Sequence, residues 1–156
     1  MNDLAQHYAL LLGLREDWLV QAVDLDLDDR RVEIRLQHNP QSQCQCAKCG
    51  HPRPLKDHAG ERTWRHLDTM QFETVILARI PRTNCPDCGV LNVHIPWAPP
   101  HGRFTLLFQA FAIRVLQASS SVEKARRLLR LSWNSVQNIM NVAVERGLAQ
   151  RDLDEI

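Results

Sequence analysis

The spacing of apolar residues changes twice along this 156-residue chain, and each change marks a new kind of element. Leu4, Tyr8, Leu11 and Leu12 recur at helical spacing, and Gly13 is placed to end the turn. After Trp18 the period falls to two. Val23, Leu25 and Leu27 predict one strand and Val32, Ile34 and Leu36 a second, with Asp28-Asp29-Arg30 as the turn between them. Asp24, Asp26, Asp28 and Asp29 fall on solvated edges, because the alternation turns several of them from the apolar face and no calcium-loop pattern accompanies them. Residues 63–68, 72–80 and 90–95 read as three further strands, with Trp64, Val75, Leu77 and Val93 as packing residues.

Residues 96–100, with Trp97 among prolines, read as a stiff connector. Beyond them the period lengthens to nearly four. Phe104, Leu107, Phe108, Phe111, Val115 and Leu116 stripe one helix. Ser120 followed by Glu123 is a capping-box signature for a second, with Val122, Ala125, Leu128 and Leu129 inward. Ser132 can cap a third, whose apolar face runs through Trp133, Val136, Ile139, Met140, Ala143 and Val144 and which Gly147 is placed to end.

Between the strands lie the residues that carry chemistry. Cys46-x-x-Cys49 and Cys85-x-x-Cys88 are each followed by glycine, Gly50 and Gly89. Such a turn puts two sulfurs on one tight loop, and two turns complete the four-sulfur tetrahedron that structural zinc prefers. Iron in a rubredoxin-like arrangement shares these knuckles. A redox C-x-x-C follows a strand and opens a helix, which neither pair does here. Cys44 is either a bystander or a competitor of Cys46, with the tighter spacing favouring Cys46, and His51 is a weaker alternative ligand. Four thiolates would leave no open position for water, so the metal is expected to be structural. The order knuckle, two strands, knuckle, strand is that of a zinc ribbon.

Composition and charge narrow the partners. With 44% hydrophobic and 24% charged residues the chain should fold. No apolar run spans a bilayer and no secretory signal is evident, which leaves the cytoplasm as the expected compartment. Five cysteines, four of them in metal-like pairs, do not make a disulfide framework. The net charge of +1 conceals an asymmetry: residues 1–37 carry −4, residues 41–104 carry +3 and residues 105–147 carry +4. Positive charge follows the motifs, which suits duplex DNA.

A short helix, a tight break at Arg130-Leu131 and a third helix have the spacing of a helix-turn-helix. On the last helix Asn134, Ser135, Gln137, Asn138 and Asn141 are candidate base-reading residues, since amides pair with adenine edges and hydroxyls serve several bases, and Trp133 is a further candidate DNA contact. Lys124, Arg126, Arg127 and Arg130 are candidate phosphate contacts. The turn favours glycine at Arg130, where an arginine at positive φ carries strain. Lys48, Arg53, Lys56, Arg62, Arg65, Arg79 and Arg82 make the ribbon basic, a surface that either meets DNA or is simply solvated. His58, His66, His94 and His101 show no partners and read as surface or capping residues. There is no nucleophile–histidine–acid set and no phosphate-cradling glycine loop, so no active site is expected.

These readings make an α+β chain. Residues 1–39 form a helix and β-hairpin packed on a four-cysteine zinc ribbon at 40–96. A proline-containing connector at 97–102 leads to an all-helical helix-turn-helix domain at 103–147, and 148–156 begin a linker. The motifs Cys46-Ala-Lys-Cys49-Gly50, Trp64-Arg65-His66-Leu67-Asp68 and Cys85-Pro86-Asp87-Cys88-Gly89 resemble the N-terminal part of bacterial insertion-sequence transposases of the ISL-three type. So do Ser121-Val122, Arg127-Leu128-Leu129, Leu131-Ser132-Trp133-Asn134-Ser135-Val136, Glu145-Arg146-Gly147-Leu148 and Arg151-Asp152-Leu153. The resemblance implies recognition of the element's terminal repeats, with cutting and joining left to a later RNase-H-like domain bearing an Asp/Asp/Glu metal site. Members often carry glycine where this chain has Arg130. The chain stops short of such a domain, so a DNA-binding piece without transposase chemistry is expected, and Asp152, Asp154 and Glu155 receive no catalytic role. The alternatives are a free-standing zinc-containing regulator, an inhibitor of transposition, or a protein-interaction module. A second copy of the chain is a candidate partner; a membrane and a small-molecule substrate are not.

Overall fold

The structure is a computed structural model that describes residues 3–154, with side chains in the last helix described as far as Leu148. The chain forms two compact units, Met1–Leu106 and Leu107–Ile156.

The first unit contains α1 (Asp3–Leu11), β1 (Trp18–Asp26), β2 (Arg31–His38), β3 (Leu55–His58), β4 (Arg62–Thr69), β5 (Phe72–Ala78), β6 (Pro81–Cys85) and β7 (Gly89–Asn92). They make two sheets rather than one ribbon with an appended hairpin. The larger has the order β1-β2-β5-β4, and the smaller, at the cysteine knuckles, the order β3-β6-β7. The strands expected at 63–68 and 72–80 therefore leave the ribbon and join the N-terminal hairpin, with β5 lying parallel to β2 from Arg31↔Glu73 to Leu36↔Ala78. Burial explains the choice. Residues 74–78 of β5 are all buried, so this strand needs cover on both faces and a neighbour on both edges. The hairpin strand β2 buries Val32, Ile34 and Leu36, and supplies the second edge.

Trp18, Trp64 and Trp97 knit the core. Trp97 meets Trp18 edge-to-face with ring centroids 4.7 Å apart and Trp64 at 5.4 Å. Trp97 and Ala98 are buried, so the segment expected to be a connector is part of the core instead. Proline stiffness was legible there, but a large aromatic side chain gains more from burial than a linker gains from exposure. The chain stays attached further still: Arg65 N donates to Arg103 O (2.9 Å) and Thr105 N to Arg65 O (3.0 Å), so residues 103–105 run along the edge of β4. Tyr8, buried on α1, hydrogen-bonds Thr69 through their hydroxyls at 2.7 Å and ties the helix to the end of β4.

His66 corrects another expectation. It is 3% exposed, and its Nδ1 shares a 2.8 Å hydrogen bond with Thr105 Oγ1. Its place in β4, between the buried Trp64 and the sheet edge, fixes that environment.

The second unit comprises α2 (Leu106–Ala118), α3 (Val122–Leu129) and α4 (Trp133–Asp154). Phe108 and Ala112 on α2, Ala125 and Leu129 on α3, and Val136 and Ile139 on α4 are buried. Leu107 and Phe111, which the periodicity placed inward, are about half exposed. Ser121, not Ser120, caps α3: its side chain accepts from Lys124 N at 3.1 Å with extended backbone at φ −151°. Ser132 caps α4 as expected, accepting from Ser135 N at 3.1 Å. The last helix does not stop at Gly147 but continues to Asp154. An exposed glycine costs a helix only about 1 kcal/mol, too little to end one whose flanking residues favour it. Glu155 lies outside the described residues, as do the side chains of Asp152 and Asp154.

Burial pushes the His66 imidazole down from 6.5 to about 4. The unfolded chain therefore takes up a proton between pH 6.5 and 4 that the folded chain refuses. The stability tied to this group is fully present above pH 6.5 and is lost as pH falls toward 4, by up to about 3 kcal/mol. In denaturant titrations across that range, the stability gap between wild type and His66→Gln should narrow with falling pH. A gap that stays constant refutes the buried neutral imidazole.

Candidate metal centre and nucleic-acid interface

The two cysteine turns are built by backbone geometry first. In the first, Gly50 N donates to Cys46 O (2.8 Å) and Cys46 N to His51 O (3.0 Å). The second is the turn of the β6–β7 hairpin, where Cys85 pairs with Gly89. Gly50 and Gly89 have φ of 76° and 80°, and a Cβ at either would meet nothing within 4 Å. The backbone angle alone, not crowding, selects glycine at both.

The four sulfurs converge. The ligand atoms of Cys46, Cys49, Cys85 and Cys88 lie within 4.8 Å of one another, and the Cys49–Cys85 pair is 3.8 Å apart. Tetrahedral metal–sulfur bonds of about 2.3 Å imply sulfur–sulfur edges of about 3.8 Å, so the donor set fits a metal ion. Among the described residues this is the one Cys/His/Asp/Glu group able to hold a metal. Cys44 is not part of it; it packs half-buried against the core of the first unit, and burial pushes its thiol up. His51 contributes its backbone carbonyl to the turn, not a ligand atom.

Electrostatics link the sulfurs of the cluster closely. At Cys85 burial raises the thiol, but the backbone amides of Asp87 and Cys88 and the Arg53 guanidinium outweigh it and bring the group to about 6. Cys88 is pushed up to about 12 by burial and by its sulfur neighbours, Cys46 first among them. A cation among the sulfurs would let all four be thiolates at once. Arg53 is a partner that residue spacing did not reveal. Its Nε donates to Cys85 Sγ at 3.2 Å, and its NH2 group lies 3.7 Å from Asp87 Oδ2.

The helical unit is organised by its turn. Arg130 N bonds to Arg127 O and Leu131 N to Arg126 O, each 3.2 Å, the pair of bonds that closes a Schellman ending. Arg130 occupies the left-handed position of that ending at φ 56°, ψ 48°, as the sequence implied. Arg126 holds the turn from outside. It donates to both carboxylate oxygens of Glu123 (3.1 and 2.8 Å) and to Leu131 O (3.1 Å), and its guanidinium lies 5.3 Å from the Trp133 ring centroid. An arginine with these partners braces the turn, a structural role added to the phosphate contact expected of it. Arg127, 74% exposed, also donates to Glu123 at 2.7 Å. Arg126 and then Arg127 hold the Glu123 carboxyl down at about 2. Lys124 and Arg130 are exposed, with Lys124 Nζ 3.1 Å from Ser120 Oγ.

On α4, Trp133, Asn134, Gln137, Asn138 and Asn141 are exposed and Ser135 is half-buried. Ser135 is already engaged by Ser132 Oγ, which donates to its hydroxyl at 3.0 Å. Gln137 Nε2 donates to Asn141 Oδ1 at 2.9 Å, one turn along. From Trp133 to Val144 the helix carries no charged residue. The result is a neutral amide face beginning at the first turn, with cations on the preceding helix. Such a face can offer paired donors and acceptors to base edges. No helix among the described residues is long and apolar enough to cross a membrane.

Comparison with known proteins agrees with this geometry. Residues 42–88 match the model of the zinc-finger of transposase IS204/IS1001/IS1096/IS1165, and residues 93–144 match the helix-turn-helix domain of transposase family ISL3. The transposases for insertion sequence element IS1557 of two Mycobacterium tuberculosis strains, CDC 1551 / Oshkosh and ATCC 25618 / H37Rv, are each 30% identical to the chain over 138 residues. That alignment covers 85% of this chain and 31% of either relative, so the chain spans about a third of their length. No solved structure matches it.

Three outcomes follow from the geometry. Cys46→Ser and Cys88→Ser should each abolish stoichiometric metal binding and unfold the β3-β6-β7 sheet, while Arg53→Gln should keep the fold but weaken metal affinity about 10- to 100-fold in a chelator competition. Full metal stoichiometry in either cysteine variant excludes the four-sulfur centre. Arg130→Gly should stabilise the protein by about 1 kcal/mol, read from the denaturant midpoint, because glycine adopts the left-handed position freely.

Proposed function

We propose that the chain, whose zinc-finger and helix-turn-helix segments match models from ISL3-type transposases, is a DNA-binding module that recognises one duplex sequence, the terminal repeats of an insertion element. The observation that carries the reading is the uncharged amide face of α4, set directly after a braced turn and flanked by exposed cations. In a helix-turn-helix the N-terminal residues of the second helix meet base edges in the major groove while the preceding helix crosses the backbone. Asn134, Gln137, Asn138 and Asn141 take the base-reading part. Lys124, Arg127 and Arg130 take the phosphates, and Arg126 keeps the two helices at their working angle by bracing the turn between them.

The metal in this reading is zinc, favoured over iron by the closed four-cysteine set and by the matched zinc-finger family. Bound zinc supplies a cross-link between the two turns and no chemistry on a substrate. The residues of the chain itself do the rest: the glycine turns present the sulfurs, and Arg53 offsets the negative charge on Cys85.

The test is selection of binding sites from random duplex DNA by the zinc-loaded protein at near-physiological salt. A single enriched motif that matches the ends of an insertion element supports the proposal, whereas a promoter-like motif favours a free-standing regulator. Asn134→Ala and Gln137→Ala should each flatten preference at particular positions of the motif, by about 1–3 kcal/mol per lost pairing. Lys124→Ala and Arg127→Ala should lower affinity for all sequences alike. No enrichment by folded, metal-loaded protein overturns specific recognition.

A further inference from the structure

The first unit has a groove with an apolar floor and an arginine rim that the helix-turn-helix reading leaves unused. It lies where the end of β7 and the following segment face the start of β4, with a volume of about 480 Å³. It opens onto a shallower surface at residues 101–103. Arg62, Thr63, Asn92, His94, His101 and Arg103 supply its polar lining, and no acidic residue lines either part. Several other arginines of the unit have carboxylates at hand. Arg31, Arg35, Arg53, Arg65 and Arg82 all face carboxylates within 4.0 Å.

Arg62 is held in place with most of its donors unused. Its guanidinium stacks 4.7 Å from the Trp64 ring centroid and donates one hydrogen bond, NH2 to Gly102 O at 3.0 Å. The remaining donors of the five-donor fork meet no partner among the described residues. The acceptor is fixed as firmly. Gly102 N donates to Pro99 O at 3.1 Å, and a Cβ at Gly102 would lie 2.9 Å from Pro99 Cγ, so this turn closes only with glycine there. His101 precedes it in the left-handed region at φ 63°. Next in the chain, the Arg103 carbonyl accepts from Arg65 N, which anchors the backbone to β4. The Arg103 side chain is exposed and makes no hydrogen bond or ion pair among the described residues.

One oriented arginine and one exposed arginine, with threonine and asparagine lining the same surface and no carboxylate among the lining residues, match a row of phosphates better than a single enclosed anion. We infer that this groove is a second contact with duplex DNA, gripping the phosphate backbone through Arg62 and Arg103 and reading no sequence. The inference rests on the proposal that the chain binds duplex DNA through its helix-turn-helix.

The experiment measures affinity of the full zinc-loaded chain for its selected duplex as a function of salt. Arg103→Ala, whose side chain supports nothing in the fold, should lower the slope of log affinity against log salt by about 1 and leave the selected sequence unchanged. Lys56→Ala removes an exposed cation of the same unit outside the groove and should leave the slope as it was. Asn134→Ala combined with Gln137→Ala should do the reverse of Arg103→Ala, losing preference while keeping the slope. An unchanged slope in Arg103→Ala, or an equal fall in Lys56→Ala, overturns the groove and leaves the helix-turn-helix reading standing. Absence of a selected sequence in wild type overturns that earlier reading instead.

Discussion

Convergence of four sulfur atoms from two distant turns is the constraint on which the first unit depends. The strands that carry the knuckles have four, five and four residues, too few to bury a core of their own. Cys49 and Cys85 are separated by 36 positions, and the intervening chain includes β4 and β5 of the larger sheet. A metal among the sulfurs thus closes a long loop and ties the small sheet to the large one through the chain itself. The tryptophans do the complementary work inside, filling the larger sheet's face with edge-to-face rings that reach from β1 to the segment after β7.

The second unit solves a different problem with different means. It has no metal candidate among the described residues, and its buried positions are few. Its defining angle is set by hydrogen bonding at one turn, where Arg126 joins Glu123, Leu131 and Trp133 into one bracket. A residue type usually associated with phosphate is used here as a structural clamp, and the neighbouring cations keep the exposed positions. The left-handed Arg130 shows that this ending is held against its own residue's preference.

Much of this was legible in the sequence, and what escaped has physical reasons. The cysteine spacing named all four members of the sulfur cluster able to hold a metal, because a two-residue gap after which glycine follows has few other uses. Ser132 as a cap, the strain at Arg130, and Trp64, Val75, Leu77 and Val93 as buried residues were likewise visible from local pattern. Strand partition was not. Periodicity shows that a strand exists but is silent on its neighbours, so the parallel pairing of β2 with β5 could not be read. Trp97 was mistaken for part of a linker because prolines advertise backbone stiffness while the buried side chain leaves no local signature. His66 and Arg126 acquired their partners through tertiary or turn geometry, with Thr105 lying 39 positions from His66.

The order of elements along the chain also sets an order in time. Every strand of the four-stranded sheet precedes Cys85, so during synthesis the larger sheet can pair before the second cysteine turn has been made. The first turn alone offers two sulfurs and waits. Only when β6, β7 and the segment bearing Trp97 emerge can the knuckles close and the last tryptophan be seated. A metal taken up by the sulfur cluster would then arrive as a late, locking event in the life of each molecule, with the larger sheet as the template on which the smaller one is finished.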